Sequence, residues 1–286
     1  MKRHLLQFGA PLLLVIGMWA VGWLPLRWSD PAADQSRAAA SYEKGLSSQK
    51  GGTTTEALRW FRQAADLGHA GAQAKVGTAY ATGAGLPEDP AEALRWWRKA
   101  AAQGDAEGQY GLALAQLSGT LVPQDKEAAV KLLQQAAAQD FAPAQHRLAE
   151  CCLHGDGLTE TPAEAVRWYR RAAENGHAGA QVEFGFICKR GLWGAPQDAA
   201  QAVQWFQKAA AQDDARAQYQ LGKCYADGTG VPEDLAEAMK WCLLASSTFG
   251  NDATQWIETH EKDLTAGQYA EARARAQAFR AQPQRK

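Results

Sequence analysis

The fold is encoded in residues 71–106, which read GAQAKVGTAYATGAGLPEDPAEALRWWRKAAAQGDA. Much of the remaining chain repeats this stretch. A small residue followed by Gln recurs at steps of 36, 36, 36 and 37 residues, and a bulky residue, usually Trp, keeps the same register from Trp60 to Trp241. The pairs are Ala72-Gln73, Gly108-Gln109, Ala144-Gln145, Ala180-Gln181 and Ala217-Gln218. Two markers in one register predict a stacked array of supersecondary units.

Each unit is predicted to contain two helices joined by a glycine-rich turn. In the first helix the position of Gly77 is always small, which lets the neighbouring helix approach closely. The second helix carries an apolar stripe that includes Trp96. It begins with the capping-box pattern Asp89-x-x-Glu92, in which two end groups satisfy each other. The same box is predicted at Thr53/Glu56, Thr161/Glu164, Asp198/Gln201 and Asp234/Glu237.

The repeated pattern A-Q-x-x-L/V-G-x-x-Y-x-x-G-x-G-x-P-x-D…W resembles the Sel1-like repeat, a relative of the tetratricopeptide repeat. It is clearest between Ala217 and Trp241. The resemblance covers about residues 37–253 and implies an all-α fold, an α-solenoid of about six stacked helix-turn-helix repeats. It does not imply one function, because such scaffolds host many partners.

The N-terminal region is predicted to be a membrane anchor. Residues 5–26 are an uncharged run of 22 residues, which is long enough to span a bilayer as a helix. Trp19, Trp23 and Trp28 favour an interfacial aromatic anchor, residues 1–28, over a cleaved signal sequence, which stays the alternative. Lys2 precedes the run and predicts a cytoplasmic N-terminus. In a bacterium the repeats would then be anchored to the inner membrane and lie in the periplasm, or be secreted there after cleavage.

The remaining boundaries follow from composition and from the loss of the repeat. Residues 29–36 are predicted to be a polar linker, 37–253 the solenoid, 254–280 a pair of capping helices, and 281–286 a polar tail. Thr265 is predicted to cap the last helix. Ala270, Ala274 and Phe279 are predicted to dock this helix on the preceding repeat.

The sequence offers no strong candidate for catalysis, and we expect no cofactor. The five cysteines occupy helix positions typical of packing residues. His146, Glu150 and His154 share one helix face, but the two histidines are about 12 Å apart along the axis, so we expect a solvated face without a metal. The formal net charge of −1, with no basic run, argues against a nucleic-acid partner.

The favoured function is a non-enzymatic scaffold that holds a protein or peptide in its concave groove. The alternative is a cell-envelope enzyme or a glycan-binding accessory protein. In four first helices, three positions spaced by three and four residues vary in character, and we expect each trio to form a free face lining the groove. Phe186 is expected to be its apolar anchor. The candidate binding residues are Lys75, Thr78, Thr82, Arg147, Glu150, His154, Glu183, Phe186, Arg190, Gln220, Lys223 and Asp227.

Overall fold

The computed structural model describes residues 30–281, a succession of helices that contains no strand within that range. The helices are α1 Pro31–Lys50, α2 Thr54–Asp66, α3 Ala70–Thr82, α4 Pro90–Ala102, α5 Ala106–Ser118, α6 Lys126–Ala138, α7 Ala142–His154, α8 Pro162–Glu174, α9 Ala178–Arg190, α10 Ala199–Ala210, α11 Ala215–Asp227, α12 Leu235–Phe249, α13 Asn251–His260 and α14 Ala266–Ala281. Consecutive pairs from α1–α2 to α11–α12 form repeats 1 to 6, and each packs on the next. The predicted all-α solenoid is confirmed.

The predicted anchor, residues 5–26, lies outside the described residues, as does the predicted tail 281–286 except for Ala281, which ends α14. Between residues 30 and 281, no helix has both the length and the apolar character needed to cross a bilayer. The predicted linker is wrong over residues 31–36, because α1 already begins at Pro31. Asp30 caps this helix by accepting a hydrogen bond from the Ala32 N–H at 3.1 Å, and proline suits the first helical position.

The predicted N-caps of the second helices are confirmed only in part. Four aspartates accept backbone N–H bonds from their own first turn: Asp89, Asp125, Asp198 and Asp234. Thr53 and Thr161 make no such bond, because their hydroxyls donate to nearby carbonyl oxygens instead. The backbone N–H of the cap donates to the first helix of the same repeat, as Asp89 does to the Tyr80 carbonyl at 2.9 Å. The N-cap thus joins the two helices of a repeat.

The core lies between the two helix layers. Trp96, Trp205 and Trp241 are buried, as predicted, but Trp168 is only partly buried because its neighbour Tyr169 fills the inner position. All five cysteines are buried and free, which confirms their packing role. Burial raises the pKa of Cys151 to about 11 and that of Cys242 to about 12, so both thiols stay protonated.

The glutamine of the sequence marker is buried and links three helices. The Gln145 side chain donates from Nε2 to the Ala137 carbonyl at 3.0 Å, at the end of the preceding helix α6. Its Oε1 accepts from Asn175 Nδ2 at 2.9 Å, just beyond α8. Gln73 and Gln181 make the equivalent bonds. These amides hold the end of one repeat against the next.

The closing helix α14 docks on a face other than the predicted one. Ala270 and Ala274 are exposed, whereas Ala272 and Ala276 are buried. Phe279 packs edge-on against Trp241, with ring centroids 5.2 Å apart, as expected. The predicted cap is confirmed, since Thr265 Oγ1 accepts from the Gln268 N–H at 3.3 Å.

Candidate functional site

The first helices of successive repeats lie side by side and line one surface, which we call the groove; it is formed by α3, α5, α7, α9 and α11. Along it, α3 contacts α5 directly. The Lys189 side chain of α9 reaches Cys224 of α11, and the Glu183 carboxylate of α9 pairs with Arg216 of α11. The second helices form the opposite, outer layer.

The predicted residues lie on this surface, in rows that cross the repeats. The first two positions of each trio are partly exposed, and the third is exposed at the C-terminal end of its helix. The exposed ends are Thr82, His154, Arg190 and Asp227. Side chains with this exposure are accessible to a partner while the helix beneath them is packed.

Several of these side chains already have partners, so the face is less free than expected. Lys75 Nζ lies 2.7 Å from the Glu107 carboxylate, to which the Thr78 hydroxyl also donates at 2.8 Å. Glu107 opens α5, so both bonds cross between repeats. The Arg147 guanidinium binds Glu150 of the same helix at 2.7 Å. These contacts neutralise the groove near repeats 2 to 4.

Phe186 is not the exposed anchor that we predicted. Its ring packs edge-on against Phe206, with centroids 5.4 Å apart, and it covers the edge of the main core. The Arg190 guanidinium lies over the other part of the ring, 5.6 Å from its centroid. The side chain is therefore part of the packing of repeat 5, because a large apolar ring gains more from the core than from solvent.

Cationic groups predominate in the groove at repeats 5 and 6. Lys189, Arg190 and Lys223 form no ion pair with any residue of the range 30–281, and neither does Asp227. Lys189 Nζ donates to the buried Cys224 Sγ at 3.7 Å. The Glu183 and Asp214 carboxylates share Arg216, so the surplus at this end of the groove is one positive charge, and the field there is weakly positive.

The groove also contains a hollow that is lined almost entirely by residues outside the predicted site. A hollow of about 410 Å³ opens between α3, α4 and α5, and Arg147 is the one predicted residue on its wall. The others are Ala81, Pro90, Ala93, Trp97, Leu114, Ala115, Leu117, Ser118 and Leu121. In α5 the predicted row is interrupted by Gly111, and that interruption was the available sequence signal. A smaller hollow of about 170 Å³ beside it is lined by Lys75, Thr78 and Thr82, among others.

The histidine face predicted on α7 is divided. His154 is exposed, whereas the His146 ring stacks on His177 of the next repeat at 4.4 Å and meets the Tyr169 ring edge-on. Burial, and then the His177 ring, lower the pKa of His146 to about 4. Burial also lowers the pKa of His177. Among the described residues no three His, Cys, Asp or Glu side chains are grouped as a metal would need.

Comparison with known families identifies the repeats. The Sel1 repeat profile matches residues 32–69, 70–105, 106–141, 142–177, 178–214 and 215–247, six consecutive units that agree with the six helix pairs. The chain belongs to the Sel1 repeat family. Sel1 repeats generally mediate protein–protein interaction, and scaffolds of this family are generally non-catalytic.

Solved structures agree with this assignment. The chain resembles c5321, a protective antigen of uropathogenic Escherichia coli with an SLR fold, at 28% identity and a TM-score of 0.64. The match covers 85% of this chain and 55% of the antigen, so the chain spans about half of that protein's length. A Sel1 repeat protein from Oxalobacter formigenes is 29% identical with a TM-score of 0.60, over 77% of this chain and 90% of that one. No curated protein sequence matches the chain.

Proposed function

We propose that this Sel1 repeat protein is a non-enzymatic scaffold that holds a protein or peptide partner in the groove. The observation that carries the proposal is the set of accessible side chains on α3, α7, α9 and α11, from Lys75 to Asp227, with Leu114 and Ser118 of α5 between them. Contacts between repeats, such as the pair Lys75–Glu107, fix the relative positions of these helices. A preorganised surface of this kind loses little entropy when a partner binds.

Photo-crosslinking in cells can test whether the groove is the binding surface. A photoreactive residue is introduced at Thr82, His154 or Asp227, all exposed on the groove, and in matched controls at Arg98 or Arg167, exposed on the outer helices α4 and α8. We expect the groove positions to yield a common crosslinked product that the outer positions do not. Equal labelling from both surfaces would rule the groove out.

We further propose that residues 5–26 anchor the protein in the inner membrane, with the repeats in the periplasm. The length of the uncharged run, with Lys2 before it and Arg27 after it, supports this topology. Washing membranes at high pH should leave the full-length protein in the pellet. Release of a shortened protein that begins near residue 23 would favour a cleaved signal instead.

A glycan-binding or enzymatic role has no specific support. A glycan site would expose aromatic rings in the groove, but within residues 30–281 the large apolar side chains that are clearly exposed are Leu121, in a turn, and Trp193, in the short 3-10 helix Leu192–Gly194. The partner is therefore proposed to be a polypeptide.

A further inference from the structure

The hollow between α3, α4 and α5 lies where repeats 2 and 3 differ from most of the other repeats at three positions. The first is Gly111. Its counterparts in the other first helices are long side chains: Lys75, Arg147, Glu183 and Gln220. Glycine is required here, because a Cβ at this position would lie 2.4 Å from ring carbons of Trp97. The Trp97 ring therefore occupies the space that a side chain would take at this position, and it also forms part of the wall of the hollow.

The second departure is Leu121, which replaces a glycine of the other turns. A Cβ on Gly157 or Gly230 would lie 2.2 or 2.3 Å from a carbonyl oxygen at the start of the preceding repeat's second helix, so those turns dock closely. A leucine cannot approach so closely. The turn in repeat 3 instead places Leu121, 41% exposed, on the rim of the hollow, with Pro90 at the start of α4 on the wall.

The third departure is Ala81, whose small side chain leaves space between α3 and α5. Its counterparts in the next three first helices are Leu117, Leu153 and Lys189. Between α9 and α11 the equivalent space is crossed by the Lys189 side chain, whose Nζ reaches Cys224 Sγ. Cys224 is the counterpart of Ala115, which lies on the wall of the hollow. The groove is thus filled at repeats 5 and 6 and open at repeats 2 and 3.

We propose, building on the scaffold function above, that this hollow binds one large apolar side chain of an extended acidic peptide. Its lining is mostly apolar and includes the Trp97 ring, so burying a leucine or phenylalanine there is favourable. The nearest charges are already neutralised in the pairs Lys75–Glu107 and Arg147–Glu150, which leaves none to receive a charged anchor.

The acidic character of the peptide follows from the opposite end of the groove. Lys189, Arg190 and Lys223 outnumber Asp227, so carboxylates are attracted there. Packed helices lie about 8–10 Å apart, which places these cations roughly 20–30 Å from the hollow. An extended chain covers that distance in about six to nine residues. We therefore expect the peptide to carry one large apolar residue, with an Asp or Glu about six to nine positions before or after it.

The test is a selection from a random peptide library on the full-length protein in mild detergent, followed by titration of fluorescein-labelled selected peptides. We expect enriched peptides to carry a large apolar residue with acidic residues about six to nine positions away. Ala81→Leu, which fills the hollow with a side chain that the equivalent positions already accept, should weaken binding about tenfold or more. The matched control Ala226→Leu, at the same position of α11, should not.

Charge reversal tests the other end of the site. The double variant Arg190→Glu/Lys223→Glu should weaken binding of the same peptides, and the loss should shrink as salt is raised. If Ala81→Leu reduces the melting temperature, a photo-crosslinking residue at the exposed Ser118, on the wall of the hollow, replaces it and should label the apolar residue of the peptide.

Each outcome decides a separate point. Peptides that bind Ala81→Leu as tightly as wild type, or that are not labelled from Ser118, overturn the hollow but leave the groove as a binding surface. Peptides that lack acidic residues and ignore the charge reversal overturn the acidic partner. If no selected peptide responds to any groove variant, the scaffold function itself is wrong for this surface.

Discussion

Several helical glycines in this protein are needed because an aromatic ring of a neighbouring helix packs directly against them. A Cβ at Gly45 would lie 2.5 Å from Phe61, and one at Gly185 would lie 2.6 Å from Phe206. The sequence predicts that the small residue at the Gly77 position allows close approach of a neighbouring helix. The structure adds an aromatic ring of the second helix, Trp97 in that repeat, as the closest neighbour.

Gly111→Ala should therefore destabilise the protein, although alanine is the better helix former. The added methyl would meet the Trp97 ring at 2.4 Å, and overpacking of this kind costs about 1–3 kcal/mol, more than the roughly 1 kcal/mol gained in helix propensity. Chemical denaturation measures the difference. The control Gly267→Ala in α14, whose nearest neighbour would be 4.0 Å away, should leave stability unchanged or slightly higher. A Gly111→Ala protein as stable as wild type would show that Trp97 moves freely.

At the scale of helices, the buried glutamines explain why one dipeptide marks every repeat. Three of the five amides, those of Gln73, Gln145 and Gln181, bind both a carbonyl at the end of one second helix and a side chain just beyond the next, as Gln145 does with Ala137 and Asn175. Backbone groups at helix ends lack partners within their own helix, and a buried group without a partner is costly. The ladder of amides supplies those partners at successive junctions.

Gln145→Leu should reduce the free energy of unfolding by about 1–3 kcal/mol, because it removes two hydrogen bonds of a fully buried amide, one to the Ala137 carbonyl and one from Asn175. Gln220→Leu makes the same change on the partly exposed groove side of α11, where no hydrogen bond to a described residue is lost, and should have little effect. The two variants are compared by denaturant unfolding monitored by circular dichroism. Equal losses in both would mean that leucine itself, rather than the missing hydrogen bonds, causes the destabilisation.

The helices were predictable because they are periodic, and the candidate site was less so because it depends on departures from the period. Repeat spacing predicted the helix pairs, and the turn glycines separated them. The one step of 37 residues contains an extra residue, which falls in the segment around Trp193. The φ of Trp193 is 52°, and no sequence pattern predicts this backbone conformation. The hollow required knowing that Ala81, Trp97 and Leu121, which belong to three different elements, line the same space.

Across the whole molecule, the junctions between repeats are of two kinds. Aromatic rings stack or pack at three of them: Tyr42 with His69 at 4.2 Å, Tyr110 with Phe141 at 5.6 Å, and His146 with His177 at 4.4 Å. At the other two junctions the equivalent positions hold Ala74 with Asp105 and Val182 with Asp214. In each of these pairs an aliphatic side chain takes the place of one ring, and an aspartate N-cap takes the place of the other. The second residue of each pair is the N-cap of the next first helix.

Acid should weaken the array at the junction of repeats 4 and 5 in particular. His177 caps α9 through Nδ1, which accepts from the Ala180 N–H at 3.1 Å and so must be unprotonated. The pKa of His146 falls to about 4 and that of His177 is also lowered, whereas an unfolded histidine titrates near ~6.5. Below that pH the unfolded chain binds more protons than the folded one. The contribution of these two histidines to stability is therefore fully present above about pH 6.5 and is lost as the pH falls toward their folded-state pKa values.

Hydrogen exchange of the full-length protein between about pH 7.5 and about pH 5, corrected for the intrinsic rate, measures this loss locally. Protection should fall first in α7 and α9, because stability in an array is shared between neighbouring repeats. The double variant His146→Val/His177→Asp transplants the pair found at Val182 and Asp214 and should keep its protection through that range. The pair His69–Tyr42, also an N-cap with a lowered histidine pKa, is unchanged in both proteins and serves as an internal reference. Parallel loss of protection in wild type and variant would place the acid sensitivity elsewhere in the chain.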